Sequence, residues 1–280
     1  MKLSESNKKQ VIVDAMTSDL ELEDGIAYLH EGFKSHVSAK KQIDDDGVYN
    51  SLFTSFERTW SAKQAFEALS DPAQEIVLEM GCADMSIFKC FKMTLTFPNY
   101  IGIDIRRDYL EAATSRNRKD VVTLCADLTK TLPIKDSSIS SIVISEVIEH
   151  LTYEDNMLVF KEAYRILKPG GKIFVSSPVN TRDRVFHTVE KETHLGHIFF
   201  WNAEDFEDEM KGIGFSDIDK KWGCSISSKI RIDEIKKSLP SDVCKFLSDI
   251  SSMYGSGVAR MLALSAPDIV NGGCRFTVTK

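Results

Sequence analysis

The sequence predicts an α/β fold in which a mainly parallel sheet is covered by helices on both of its faces. Short apolar runs, which are typical of buried parallel strands, recur between residues 75 and 177. Segments that read as helices separate these runs, as expected for repeated strand–helix–strand units. The first strand ends in a turn at Gly81, and the second strand ends in the acidic residue Asp104. A glycine turn followed by an acidic strand end is typical of sheets that bind an adenosine group.

The strands and helices follow from this pattern in chain order. The first strand contains the apolar run Ile76–Leu78, and the longest helix ends in a glycine-rich turn at Leu167–Gly171. The predicted strands are Glu75–Met80, Tyr100–Asp104, Val121–Cys125, Ser141–Ser145, Lys172–Ser177, a strand starting at Gly214 and Gly272–Thr279. The predicted helices are Asp84–Met93, Arg107–Arg116, Thr152–Leu167 and Ala203–Lys211.

Four segments follow from the change of pattern along the chain. Residues 1–72 are predicted to form an N-terminal helical cap, which ends where Pro72 disfavours a helical residue before it. Residues 73–223 are predicted to form the core, which binds the ligand that carries the adenosine group. Residues 224–268 break the strand–helix alternation and are predicted as a helical insert over the substrate, and residues 269–280 as the final strand of the core sheet.

Composition and charge exclude several classes of protein. The 280 residues are 42% hydrophobic and 28% charged, which is ordinary for a globular chain. A net charge of −7 makes nucleic acid an unlikely partner, because binding to phosphates needs clustered Lys and Arg. No apolar run is long enough to predict a membrane span. The six scattered cysteines and the polar N-terminus predict a cytoplasmic protein with free thiols, and the oligomeric state is not predicted.

The order of the motifs resembles that of the class I S-adenosylmethionine-dependent methyltransferases, in particular the broad group of small-molecule methylases. Each motif alone is a weak signal, but their order and spacing between residue 75 and about residue 222 are specific. Gly81 and Asp104 are 23 residues apart (104 − 81), close to the roughly 20 expected. The matching segments are Glu79–Ala83, Asp104, Cys125–Leu128, Leu132–Ser140, Ser145–Leu151 and Leu167–Gly171.

The resemblance implies a Rossmann-like, seven-stranded, mainly parallel sheet with an antiparallel last strand, and S-adenosyl-L-methionine as the cofactor. Asp104 would bind the ribose hydroxyls and Asp127 would meet the adenine amino group. Gly81 and the amides after it would approach the methionine part of the cofactor. The cofactor-binding residues that it implies are Glu79, Gly81, Cys82, Ala83, Asp104, Ile105, Ala126, Asp127, Leu128 and Ser145.

The turn after the first strand departs from the family pattern. Ala83 replaces the second glycine of the motif, and Met85 stands where a third glycine is found in other members. A methyl group at Ala83 restricts how closely a ligand approaches the backbone.

Two histidine regions are candidates for the chemistry. Methyl transfer needs an aligned acceptor and the exclusion of water, and a hydroxyl acceptor also needs a base or a metal ion. His150 follows the fourth strand and His197 precedes an aromatic run. The predicted catalytic residues are His150, His197 and Glu146.

The pattern Glu146-x-x-Glu149-His150, with His194 or His197 downstream, also resembles the metal site of the small-RNA 3′-end 2′-O-methyltransferases. The string Glu-Val-Ile-Glu-His-Leu is widespread in metal-free methyltransferases as well. The sequence therefore assigns no metal ligand.

These observations predict an enzyme that transfers a methyl group to an oxygen or nitrogen atom of a small molecule. Two alternatives stay open: a metal-assisted RNA 2′-O-methyltransferase, and a catalytically degenerate methyltransferase fold that serves as a binding subunit. A nicotinamide-dependent oxidoreductase is disfavoured, because the Gly-x-Gly-x-x-Gly turn that lets pyrophosphate approach a helix N-terminus is missing.

Overall fold

The structure, a computed structural model, describes residues 5–18, 22–23, 26–29, 64–83, 85, 87–88, 99–117, 121–177, 187–188, 197–223, 245 and 273–280. Its helices are α1 (Glu5–Ala15), α2 (Arg107–Asn117), α3 (Tyr153–Ile166), α4 (Ala203–Ile213) and a short 3-10 helix (Ile148–His150). Its strands are β1 (Leu22–Glu23), β2 (Ile26–Tyr28), β3 (Ile76–Met80), β4 (Asn99–Asp104), β5 (Val122–Cys125), β6 (Ile139–Ser145), β7 (Leu167–Ser177), β8 (His187–Thr188), β9 (Phe199–Phe200), β10 (Ser216–Gly223) and β11 (Gly273–Thr279).

Nine of these strands form one sheet in the order β1-β2-β5-β4-β3-β6-β7-β11-β10, and β8 pairs with β9. The strands from β2 to β7 in this order run parallel to one another. Strand β11 is antiparallel to both β7 and β10. The prediction of a mainly parallel α/β sheet with an antiparallel last strand is therefore confirmed.

The sheet has more strands than the seven predicted. The N-terminal segment, which we predicted to be helical, also contributes the hairpin β1–β2. Strand β2 pairs with β5, and the amide of Leu29 donates to the carbonyl of Cys125 over 2.9 Å. The hairpin thus satisfies backbone groups that would otherwise lie open at the edge of the sheet.

Side chains of the central strands point alternately to the two faces of the sheet and contribute to an apolar layer on each face. Leu78 and Ile142 belong to the layer that also contains buried residues of α1, α3 and α4. Val77 and Val143 belong to the opposite layer, which contains buried residues of α2. This arrangement explains why the strands carry apolar side chains on both faces, since both faces are covered.

Some predicted segments lie outside the described residues. These are nearly all of the helical insert 224–268 and most of the helix that we predicted over 84–93. The boundaries of the four predicted segments stay predictions. Among the described helices, none has both the length and the apolar composition needed to cross a membrane.

Candidate functional site

The order of the sheet reverses its direction between β3 and β6. From β3 the chain adds β4 and β5 on one side, and from β6 it adds β7 on the other. In open parallel sheets, the crevice at the carboxyl ends of the strands beside such a reversal is where ligands bind. The loops after β3 and β6 meet there, because a Cβ built on Gly81 would lie 2.3 Å from Cγ2 of Val147.

The loop after β3 has a glycine-type backbone at three positions, although glycine occupies only one of them. The backbone angle φ is 77° at Gly81, 42° at Ala83 and 58° at Met85. Residues with a side chain rarely adopt such angles, at a cost of roughly 1–2 kcal/mol each. Ala83 and Met85, which replace glycines of the family pattern, therefore add side chains to the loop but keep its left-handed backbone.

The amides of this loop are hydrogen-bonded within the protein. Those of Gly81 and Cys82 donate to the carbonyl of Ile103 over 2.8 and 2.9 Å, and that of Ala83 donates to Asp104. The loop is thus fastened to the end of β4 before any ligand binds.

Gly102, which our sequence analysis did not single out, makes this packing feasible. A Cβ at Gly102 would lie 2.3 Å from Cε of Met85 and 2.9 Å from Sγ of Cys82, so a larger residue there would force both side chains of the loop to shift. A glycine in the middle of a predicted strand is itself a signal of close approach.

Asp104 ends β4 and is buried. Its Oδ2 accepts the amide of Ala83 and its Oδ1 accepts the amide of Arg106, each over 2.8 Å. Burial raises the pKa of Asp104, and the amides of Arg106 and Ala83 oppose that rise. A carboxylate oxygen accepts more than one hydrogen bond, so the group can also accept from the hydroxyls of a ligand.

Asp127 lies beyond the end of β5, the neighbour of β4. Its Oδ1 accepts the amide of Thr129 over 2.9 Å and the hydroxyl of Thr129 over 2.7 Å. These bonds fix the carboxylate in a turn. Ala126 is buried, Leu128 is half-buried, and Ile105 is an exposed apolar side chain.

Glu79 is buried within β3 and accepts a hydrogen bond from the hydroxyl of Tyr100 on β4. Register places Glu79 beside Gly102. The bond links the two strands that carry the candidate cofactor residues.

The end of β6 is joined to the end of β7 by hydroxyl groups. The hydroxyls of Ser145 and Ser176 lie 2.8 Å apart, and Ser176 also donates to Oε1 of Glu146 over 3.3 Å. The backbone of Glu146 has φ of 56° and its amide donates to the carbonyl of Ser176 over 2.9 Å. The backbone of Glu146 is therefore held in place, while its carboxylate is exposed.

The structure brings His150 and His197 together, with ring centroids 4.9 Å apart in an edge-to-face arrangement. Nε2 of His197 lies 4.0 Å from Oε1 of Glu149, which is buried in the 3-10 helix. Ser177 donates to the other oxygen of Glu149 over 3.1 Å. Burial raises the pKa of Glu149, opposed by His150, Ser177 and Glu146.

Ser176 and Ser177 are site residues that our sequence analysis missed. They end β7, and Ser176 is the register partner of Ser145 on β6. The sequence does signal them, because two hydroxyl residues end a predicted strand. It does not show which strand lies beside them, since that depends on the order of the sheet.

Comparison with known proteins agrees with this geometry. A family profile described as "Methyltransferase domain" matches residues 78–175. A protein of Mycolicibacterium smegmatis, named a "probable S-adenosylmethionine-dependent methyltransferase", is 30% identical over 162 residues, which are 54% of this chain. The chain spans 61% of the length of that relative.

Solved structures show the same fold. Phosphoethanolamine N-methyltransferase 2 of Haemonchus contortus, in complex with S-adenosyl-L-methionine, matches with a TM-score of 0.57 and 18% identity, over 87% of this chain and 57% of its own. The 1,6-didemethyltoxoflavin-N1-methyltransferase of Burkholderia thailandensis matches with a TM-score of 0.52 and 10% identity, over 85% of this chain and 82% of its own.

Proposed function

We propose that this chain, whose residues 78–175 match a methyltransferase-domain profile, is a class I methyltransferase that transfers a methyl group from S-adenosyl-L-methionine to an oxygen or nitrogen atom of a small molecule. One observation carries the proposal: the Asp104 carboxylate, at the end of β4, holds the Ala83 amide of the loop after β3. An acidic strand end joined to a left-handed turn beside the reversal of strand order suits an adenosine group.

The residues at the three neighbouring strand ends fit this ligand. Asp104 can accept hydrogen bonds from two ribose hydroxyls while it keeps its bonds to backbone amides. Asp127, held by Thr129, can accept from the adenine amino group. Ile105 offers an exposed apolar surface for the ring. The amides of the loop at Gly81 already donate hydrogen bonds within the protein. The loop would therefore contact the ligand through the shape of its backbone.

The chain's own catalytic contribution lies at the end of β6. S-adenosyl-L-methionine supplies an activated methyl group on a sulfonium, and transfer leaves the electron pair of the broken S–C bond on sulfur. His150, His197 and Glu146 would orient the acceptor and take its proton. The two rings lie next to each other, and Ser176 supports the Glu146 carboxylate.

A small acceptor agrees with the charge of the chain. The net charge of −7 gives no electrostatic attraction to a polyanion such as RNA. A neutral or cationic small molecule carries no such penalty.

Thermal unfolding with S-adenosylhomocysteine tests the cofactor part of the proposal. At 100 times its dissociation constant, the ligand should stabilise the wild type by roughly 2.7 kcal/mol. Asp104→Ala should abolish the shift. Glu111→Ala is the matched control, because Glu111 is an exposed acid on α2 that pairs with Arg107 and should leave the shift intact.

The absence of a shift in the wild type at millimolar ligand would contradict the proposal and favour the degenerate binding subunit. The acceptor part is tested by transfer of labelled methyl groups to panels of hydroxyl compounds, amines and short RNAs. Transfer to RNA alone would contradict the small-molecule class.

A further inference from the structure

Throughout α3, which the structure describes in full, one polar side chain is buried. Asn156 is fully shielded from solvent, and the other buried residues of this helix are apolar: Val159, Phe160, Ala163 and Ile166. An amide that leaves water for an apolar core is costly unless hydrogen bonds compensate for the loss. The hydrogen bonds of Asn156 therefore indicate why an amide stands there.

The side-chain amide of Asn156 donates to backbone carbonyls at both ends of the 3-10 helix. Its Nδ2 lies 2.9 Å from the carbonyl oxygen of Ile148, 3.2 Å from that of Leu151 and 2.8 Å from that of Thr152. Ile148 begins the 3-10 helix, and Leu151 follows its last residue, His150. One side chain of α3 thus holds the segment that carries His150 at both of its ends.

The 3-10 helix has weak hydrogen bonds of its own. The amide of His150 donates to the carbonyl of Val147 over 3.0 Å, and that of Leu151 donates to the carbonyl of Ile148 over 3.4 Å. Val147, which precedes the helix, makes no side-chain capping bond in the part of the chain that the structure describes. Hydrogen bonds in 3-10 turns also have poorer geometry than those in α-helices. The short helix therefore depends on support from outside.

Asn156 gives that support from a rigid position. Its backbone amide donates to the carbonyl of Thr152 over 2.9 Å, and the hydroxyl of Thr152 caps α3 by accepting the amide of Asp155 over 3.1 Å. On the other side, the amide of Ile198 donates to the carbonyl of Glu149 over 2.9 Å. The 3-10 helix is thus held between the first turn of α3 and the segment that leads into β9.

We propose that Asn156 is a positioning residue for methyl transfer, which holds the 3-10 helix so that the ring of His150 stays beside that of His197. This role rests on the proposed function, in which both histidines orient the acceptor. The two rings lie edge to face with their centroids 4.9 Å apart. Since the side chain of His150 is exposed, its place depends strongly on the position of its backbone. A shift of about 1 Å in such a group can slow a reaction by about 100-fold.

Hydrogen exchange followed by NMR tests this support without any acceptor. Asn156→Leu keeps the approximate shape of the side chain and removes its donors. The backbone amides of His150 and Leu151 should then exchange roughly tenfold faster than in the wild type, because the carbonyls at both ends of the 3-10 helix lose a partner. The nuclear Overhauser effect between the rings of His150 and His197 should weaken as well.

Asn99→Leu is the matched control. Asn99 is also a buried asparagine, and its Nδ2 donates to the carbonyls of Ala73 and Glu75 over 3.1 Å each. It is the first residue of β4 and lies at the opposite end of the strand from Asp104. The control should lower the melting temperature to a similar extent without changing exchange in the 3-10 helix. Equal acceleration in both variants would show a global effect and overturn the proposal.

Asn156→Ser keeps the test decisive if the leucine variant does not fold. A serine within a helix bonds to the carbonyl four residues before it, which here belongs to Thr152. The carbonyls of Ile148 and Leu151 would still lose their partner. We expect the same faster exchange at His150 and Leu151, and wild-type exchange in this variant would contradict the proposal.

Methyl transfer distinguishes positioning from a purely structural role. The acceptor is the compound of the panel above that takes up labelled methyl fastest in the wild type. For Asn156→Leu, kcat should fall by about 10- to 100-fold, while the KM for S-adenosyl-L-methionine stays unchanged. Asn99→Leu should keep the wild-type kcat at a temperature at which both variants are folded. An unchanged kcat in Asn156→Leu would overturn the positioning role.

The two proposals fail separately. An intact S-adenosylhomocysteine shift with wild-type exchange in both Asn156 variants would refute the positioning role alone. The absence of that shift in the wild type, with faster exchange confined to the Asn156 variants, would refute methyl transfer and confirm that Asn156 holds the 3-10 helix.

Discussion

Asp104 holds Ala83 in a left-handed conformation through a hydrogen bond of 2.8 Å from the Ala83 amide to Oδ2. The same carboxylate accepts the amide of Arg106 through its other oxygen. One side chain therefore fastens the loop after β3 to the loop after β4. Since the loop is held before a ligand binds, less ordering is needed on binding.

We expect the affinity for S-adenosylhomocysteine to fall as the pH is lowered. The fall should begin at a higher pH than the one at which an ordinary aspartate takes up its proton. Burial raises the pKa of Asp104 from its usual value near 3.8, and its backbone hydrogen bonds offset only part of that rise. The ribose hydroxyls need an ionised acceptor, so affinity should fall by up to about tenfold per pH unit below the raised pKa. Calorimetric titration between about pH 8 and about pH 5 measures this.

In the ligand-free protein, the contribution of Asp104 to the stability of the fold should depend on pH in the opposite direction. Because its folded pKa is raised, the folded state binds the proton more tightly than the unfolded state. That contribution to stability is fully present below the unfolded pKa and is lost as the pH rises through the folded pKa. Asp104→Asn should remove both dependences, and an unchanged pH profile in this variant would contradict the assignment.

Ala83→Gly should leave the fold intact and stabilise it by up to about 1 kcal/mol. The substitution removes the steric cost of a left-handed alanine, and the greater flexibility of unfolded glycine offsets part of the gain. Ala112→Gly in α2 is the control and should destabilise by about 1 kcal/mol. Urea unfolding measures both, and equal losses in the two variants would show that Ala83 is not left-handed.

Gly81→Ala should destabilise the protein more than Gly170→Ala. Both glycines have a positive φ, of 77° and 74°, but a Cβ at Gly81 meets Val147 whereas a Cβ at Gly170 meets nothing within 4 Å. Gly170→Ala therefore measures the backbone strain alone, roughly 1–2 kcal/mol. The excess in Gly81→Ala is the cost of displacing Val147.

A second substitution checks that explanation. Val147→Ala in the Gly81→Ala background removes the clash and keeps the strain, so it should recover only the excess. Urea unfolding of the four variants gives the coupling energy. Zero coupling between the two positions would rule out the contact as the cause.

Tyr100→Phe should destabilise the protein by about 1–3 kcal/mol, because it deprives the buried Glu79 carboxylate of a hydrogen bond. Adding Glu79→Gln removes the buried charge and should recover part of the loss. Thermal and urea unfolding of the single and double variants measure the effect. A double variant that is as unstable as the sum of the two single variants would contradict the interaction.

The strands and helices between residues 75 and 177 could be predicted because their signals are local. Apolar runs bounded by Gly81, Asp104 and Asp127 define strand ends whatever the rest of the chain does. The sheet class follows from the order of these signals, and the structure confirms it. A methyltransferase-domain profile matches residues 78–175, which carry most of these signals. The catalytic roles of His150, His197 and Glu146 stay predictions.

Other features of the site could not be predicted because they depend on pairing between distant segments. The hairpin β1–β2 joins the sheet only because β5 offers an edge. The sequence presents Glu146 and Glu149 as equivalent acids, but the 3-10 helix buries Glu149 toward His197 and leaves Glu146 exposed. Local pattern thus determined the elements and their ends, while the order of β6 beside β7 decided which side chains meet, because sheet order brings together residues that no sequence spacing relates.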